Sequence, residues 1–106
     1  MIYKVKAQFN FDKSEEFYKK LIDGTIQNQK PDGYEIVNAM KRATIDSEGW
    51  VKWTELCYCP TPLFHERKTV YDAYFSSIET QSIDHYETYE GRSFMQEISN
   101  LGKEAT

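Results

Sequence analysis

From Ile2 the chain alternates: Tyr3, Val5, Ala7 and Phe9 fall on one side, and Lys4, Lys6 and Gln8 on the other. A period of two is the mark of a strand with one buried face, and it predicts β-structure over residues 2–9. The period then lengthens. Phe17, Leu21 and Ile22 recur at helical spacing, with Lys19, Lys20 and Asp23 on the wet side. Asp12 stands where a carboxylate can cap the first turn, Glu15 follows three residues later, and Gly24 can end the helix in a left-handed conformation. Pro31-Asp32-Gly33 closes a polar stretch and reads as a turn, because proline fixes one φ and glycine frees another.

Residues 34–45 read as a second strand, with Ile36 and Val37 at its start and Ala43 and Ile45 near its end. Asp46-Ser47-Glu48-Gly49 has turn chemistry, and Trp50 to Cys59 is rich in β-formers, so the two runs predict a hairpin. Thr61-Pro62 carries a helix-start signature, a hydroxyl at the cap and proline in the first turn. Over residues 61–75, Leu63, Arg67, Val70 and Tyr74 line one helical row, while Phe64, Tyr71 and Phe75 line its neighbour. Residues 76–86 predict a fourth strand centred on Ile78 to Ile83. Phe94, Met95 and Ile98 predict a short terminal helix, with a flexible tail over 102–106.

At 106 residues the chain fits one domain, spanning 1–101 before that tail. Hydrophobic residues at 40% and charged residues at 28% place it among globular proteins and outside the disordered class. A net charge of -4, with Lys41-Arg42 as the one local basic run, excludes the basic face that a nucleic-acid binder presents to phosphates. No window reaches the roughly 18 apolar residues of a membrane span, and the start lacks an apolar signal segment. Two cysteines are too few for a secreted disulfide scaffold, so the expected compartment is the cytoplasm with both thiols reduced.

The order strand, helix, strand, strand, helix, strand, with a short C-terminal helix, resembles the ferredoxin-like α+β fold, βαββαβ. In particular it is similar to the dimeric α+β barrel proteins. That resemblance implies an antiparallel sheet with its helices on one face and a second copy of the chain covering the other. Aromatic residues at 15% supply material for such a homodimer seam. It also implies candidate activities without a cofactor: monooxygenase-, isomerase- or dehydratase-like.

Reactive chemistry is concentrated between Cys57 and Arg67, which contain both cysteines, two of three prolines and one of two histidines. Cys57 and Cys59, two apart on a strand, would share a face, but one intervening residue is tight for chelating one ion from an extended chain, so no metal site is expected. His65 is the candidate catalytic base if a carboxylate, Glu66, Asp72 or Asp84, orients it. Trp53, Tyr58, Cys59, His65 and Arg67 are the candidate ligand-binding residues, with helix-terminal amides favouring a carboxylate-bearing guest. No G-x-S-x-G elbow, dinucleotide fingerprint or P-loop occurs. Three functions follow as expectations: a small apolar or aromatic ligand bound without chemistry, a cofactor-free enzyme using His65, or a protein-interaction module.

Overall fold

The computed structural model describes residues 1–104. Strand β1 (Ile2–Phe9) forms where the alternation predicts it, and every second residue from Tyr3 to Phe9 is buried. A short 3-10 turn (Phe11–Lys13) leads into α1 (Ser14–Ile22). Asn10, rather than Asp12, provides the cap here: its Oδ1 accepts from the Asp12 amide at 3.1 Å. Phe17 and Leu21 face the core, whereas Ile22 is exposed.

Residues 34–45, read above as a strand, are instead helix α2 (Gly33–Arg42) followed by a two-residue strand β2 (Thr44–Ile45). Ile36, Val37 and Met40 make one buried helical face, Glu35 lies in the first turn, and Lys41 and Arg42 lie in the last. Burial of that face, together with charges matched to the helix dipole, outweighs the β preference of the Ile-Val pair. Gly33 opens α2 because nothing larger fits: a Cβ there would lie 2.0 Å from the Ile26 carbonyl oxygen.

Strand β3 (Trp50–Leu56) follows a turn organised by Asp46, whose Oδ1 accepts from the amides of Glu48 and Trp50, with Gly49 at φ 86. The next helix, α3, covers residues 64–74 and consists of Phe64–Glu66, a π-helical turn Arg67–Tyr71, and Asp72–Tyr74. It begins later than Thr61-Pro62 suggests, because Leu63 first turns the chain through a left-handed conformation at φ 56. Strand β4 (Phe75–Ile83), the two-residue β5 (Arg92–Ser93) and helix α4 (Phe94–Glu104) complete the chain. The tail expected from 102 is helical through Glu104, and its last two positions lie outside the described residues.

The sheet is antiparallel throughout, in the order β4-β1-β3-β2-β5. The architecture is therefore α+β with five strands and four helices. The expected sequence of elements holds only in coarse form, since two helices rather than one link β1 to β2. The core lies between the helices and the sheet face bearing Val5, Ala7, Val51 and Trp53. It is strongly aromatic: Phe9 meets Phe94 edge-on at 4.9 Å, Phe17 stacks on Tyr74 at 4.3 Å, and Trp53 lies 5.2 Å from both Tyr71 and Phe75.

The opposite sheet face is mostly polar, and one row across it is Glu79, Lys6, Lys52. Lys6 lies over the Trp50 ring and Lys4 over Tyr89. Part of this face is covered by the chain's own residues 86–89: the Thr54 hydroxyl donates to the Glu87 carbonyl at 2.8 Å and accepts from the Glu87 amide at 3.2 Å.

Strand β2 meets β3 only at Val51 and Lys52, which leaves the far half of β3 without a strand on that side. A side-chain pair takes the missing strand's place. Arg42 Nη2 donates to the Thr54 carbonyl at 2.6 Å, and Glu35 Oε2 accepts from the Leu56 amide at 2.8 Å. The two side chains join each other at 3.0 Å, and the Tyr86 hydroxyl donates to the same Glu35 oxygen at 3.0 Å. Buried or half-buried backbone groups need such partners, and here both ladder positions find one. Among the described residues no helix is long and apolar enough to cross a membrane.

Candidate functional site

A cleft of ≈ 290 Å³ opens where the start of α2, the end of β3 and α3 converge. Its apolar wall includes Pro31, Leu56 and Tyr58, and its polar wall Asp32, Glu35 and Glu66. Cys57 and Cys59 line the cleft as well. Cys57 still exchanges backbone hydrogen bonds with Met1, at 2.9 and 3.1 Å, and the chain turns away after it: the Cys59 amide folds back to donate to Cys57 Sγ at 3.3 Å.

Glu66 is the unexpected member. Only 1% of it is exposed, on the same buried side of α3 as Leu63 and Val70. A carboxylate in such a position normally carries a matching cation or several strong donors. The donor to Glu66 Oε1 is instead a thiol, Cys59 Sγ at 3.4 Å. Behind it lies a second buried acid, Glu55, whose Oε1 accepts from Trp53 Nε1 at 2.8 Å and from the Tyr71 hydroxyl. Glu55 Oε2 has no hydrogen-bond partner among the described residues. Burial pushes the Glu55 carboxyl up to about 8, so at neutral pH it is mainly a neutral acid.

Cys57 is not poised for nucleophilic or redox work. Burial raises Cys57 to about 12, the reverse of the lowered pKa that makes a thiol reactive. The histidine does have its carboxylate. His65 Nδ1 lies 2.6 Å from Asp32 Oδ2, and Thr69 fixes the helix locally by donating to the His65 carbonyl at 2.8 Å. Atoms of Asp32, His65 and Glu66 all lie within 4.8 Å of one another, as do those of Cys57, Cys59 and Glu66. Glu66 belongs to both groups.

Of the residues singled out by sequence, Cys59 and Tyr58 line the cleft, with Tyr58 at its mouth and 86% exposed, and His65 stands beside it through Asp32 and Glu66. Two others lie elsewhere. Trp53 is wholly buried in the core, held there by Tyr71 and Glu55. Arg67 points to a separate hollow with Phe64 and Lys68 and pairs with Asp72 at 3.2 Å. Sequence reasoning missed Asp32 and Glu35, and weighed Glu66 only as an orienting partner for His65. The acidic wall they form also opposes the carboxylate-bearing guest expected from the helix terminus, because like charge repels.

Comparison with protein-family models, with curated proteins and with solved structures returned no significant match to this chain.

Proposed function

We propose that this chain is a small-molecule binding domain of ferredoxin-like type. Its guest would be a compact molecule with an apolar or aromatic body and a protonated amine. The four principal strands stand in the order β4-β1-β3-β2, which supports the fold reading despite the added helix and fifth strand. One observation carries the functional reading: a cleft with apolar wall residues Pro31, Leu56 and Tyr58 faces carboxylates at Asp32 and Glu66. Sites for small ligands combine an apolar lining with a few placed polar groups. A volume of ≈ 290 Å³ limits the guest to roughly a single ring with a short side arm.

Benzylamine and tyramine, titrated in the presence of a chelator and followed by amide chemical shifts, test this reading. Saturable binding should weaken about tenfold in Asp32→Asn, equivalent to ~1.4 kcal/mol, and stay unchanged in Arg67→Ala. Binding that ignores Asp32→Asn, or shifts clustered away from residues 56–59, refutes the reading.

A second reading, general-base catalysis, is favoured by the 2.6 Å contact between Asp32 and His65. A carboxylate on Nδ1 orients the ring and leaves Nε2 to take a proton. The readout is deuterium exchange into an acidic carbon position of a bound aryl ketone, with His65→Ala expected to slow it by ~100-fold or more. Exchange at the uncatalysed rate with wild-type protein rules this out. The homodimer implied by the resemblance is a separate proposal, read by light scattering against the 12.5 kDa chain mass.

A further inference from the structure

The geometry points to a second ligand for this cleft: we infer that Cys57, Cys59 and Glu66 form a three-coordinate protein site for a borderline-soft divalent cation of the zinc class. The fourth position would open into the cleft. This goes beyond the guest reading and does not depend on it.

The first argument is distance. In a tetrahedral zinc site with Zn–S of ~2.3 Å and Zn–O of ~2.0 Å, the sulfur-to-oxygen edge is about 3.5 Å. Cys59 Sγ and Glu66 Oε1 stand 3.4 Å apart. Cys57 Sγ completes the triangle, with all three ligand atoms within 4.8 Å of one another. The sequence argument against chelation assumed an extended strand across Cys57-Tyr58-Cys59. The backbone pairing with β1 stops at Cys57, opposite Met1, so that premise does not apply to Tyr58 and Cys59. The bend marked by the Cys59 amide on Cys57 Sγ lets two closely spaced thiols face one point.

The second argument is electrostatic. Glu66 is almost fully buried, yet the donor to its Oε1 is a thiol, the weakest donor in the side-chain inventory. Glu35 is occupied by Arg42, the Leu56 amide and Tyr86, so it neither competes for the cation nor relieves Glu66. Two thiolates and a carboxylate would match the charge and softness preferences of zinc and cobalt, and would not suit calcium or magnesium, which take oxygen ligands. Leu63, left-handed at φ 56, lies in the connection that brings Glu66 back over the cysteines; backbone in such conformations clusters at functional sites.

The alternative triangle, Asp32, His65 and Glu66, is the weaker candidate. His65 and Asp32 already satisfy each other at 2.6 Å, so that pair is better placed to orient Glu66 or a cleft-bound guest than to ligate. Three protein ligands with a position open to solvent is the arrangement of exchangeable or catalytic zinc rather than structural zinc.

Cobalt(II) titration of the metal-free, reduced full chain without any guest is the test. The expected result is one cobalt per chain, with a thiolate-to-cobalt charge-transfer band and the intense visible bands of a four-coordinate ion, both abolished by added zinc. Glu66→Gln should weaken cobalt affinity about tenfold or more while retaining the charge-transfer band. Cys59→Ser, at a half-buried position, should diminish that band. Far-ultraviolet circular dichroism confirms that each variant is folded. Because Cys57→Ser alters a buried position and risks misfolding, zinc protection of the Cys59 thiol from alkylation in wild-type protein supplies an independent readout. Absence of stoichiometric cobalt binding, bands that persist in Cys59→Ser at full strength, unchanged affinity in Glu66→Gln, or alkylation indifferent to zinc each overturns the inference. Because the guest titration is run with chelator and the cobalt titration without guest, either idea can fail alone.

Discussion

Removing Glu35 should unzip one edge of the sheet. Its Oε2 accepts from the Leu56 amide, Arg42 and Tyr86 within 3.0 Å, and the two ion-pair side chains are only 23% and 29% exposed. Glu35→Ala leaves the Leu56 amide without its acceptor and Arg42 without its carboxylate. A hydrogen bond to a charged group contributes ~1.5–3 kcal/mol, and stranding a half-buried donor costs a similar amount, reduced where water can reach it. Arg42 and Tyr86 can both turn toward solvent, so most of the loss comes from Leu56, and the total should be about 2–3 kcal/mol. For a domain of this size that lowers Tm by ~10 °C or more. Glu35→Gln keeps an acceptor for the amide and gives up only the charge, and should cost about 1 kcal/mol. Urea unfolding followed by tryptophan fluorescence gives both values. Amide exchange locates the effect: the Leu56 amide should exchange faster in Glu35→Ala, while amides in the centre of β1 change only by the global loss of stability. If Ala and Gln variants are equally stable, or both lie within ~0.5 kcal/mol of wild type, the ion pair is not standing in for a strand.

Three further outcomes follow from the fold. Gly33→Ala places a Cβ 2.0 Å from a backbone oxygen and should cost several times the ~1 kcal/mol of an ordinary backbone adjustment; a melting temperature within a few degrees of wild type contradicts this. Phe94→Ala, which removes a fully buried ring meeting Phe9 at 4.9 Å, should cost ~3–5 kcal/mol by denaturant unfolding, while Phe64→Ala, at an exposed position, should be nearly silent. The Tyr74 hydroxyl holds the Glu16 carboxyl below its usual pKa of 4.5, so its contribution is present above that value and is lost as pH falls through the lowered one. Stability curves of wild type and Tyr74→Phe should therefore differ at neutral pH and converge in acid, and a constant gap at every pH disproves the linkage.

The parts of this molecule legible in the sequence are those whose pattern has one reading. Strand β1 alternates without ambiguity, and Phe94 and Ile98 mark the inward face of α4 by their spacing. Helix α2 was misread because Ile36-Val37 favours a strand locally, while its helical evidence lies in the longer interval to Met40 and in charges at its two ends. That error hid the cleft, since Glu35 comes from this segment and Asp32 sits immediately before it. Glu66 was hidden differently. The row Leu63, Arg67, Val70, Tyr74 is a sound helical row, but the left-handed Leu63 and the π-helical turn rotate the helix so that Glu66, three residues from Leu63 and four from Val70, takes the inward position and Arg67 does not. Cys59 comes within 3.4 Å of Glu66, the neighbour of His65, because only a short connection separates the end of β3 from α3.

That π-helical turn at Arg67–Tyr71 has a consequence for how the chain can change. Each residue of an α-helix turns the chain by about 100°, and each residue of the wider π-helical turn by less, so the turn takes up one extra residue while the two ends keep their bearing. Tyr71 and Tyr74 are fastened to the aromatic core, and that end has no freedom to turn. A single-residue deletion within 67–70 would therefore regularise the helix and still leave Glu66 facing Cys59, whereas tightening the turn to α-helical geometry with every residue kept would swing Glu66 away. The wide turn is what lets one helix answer both to the core and to the cleft.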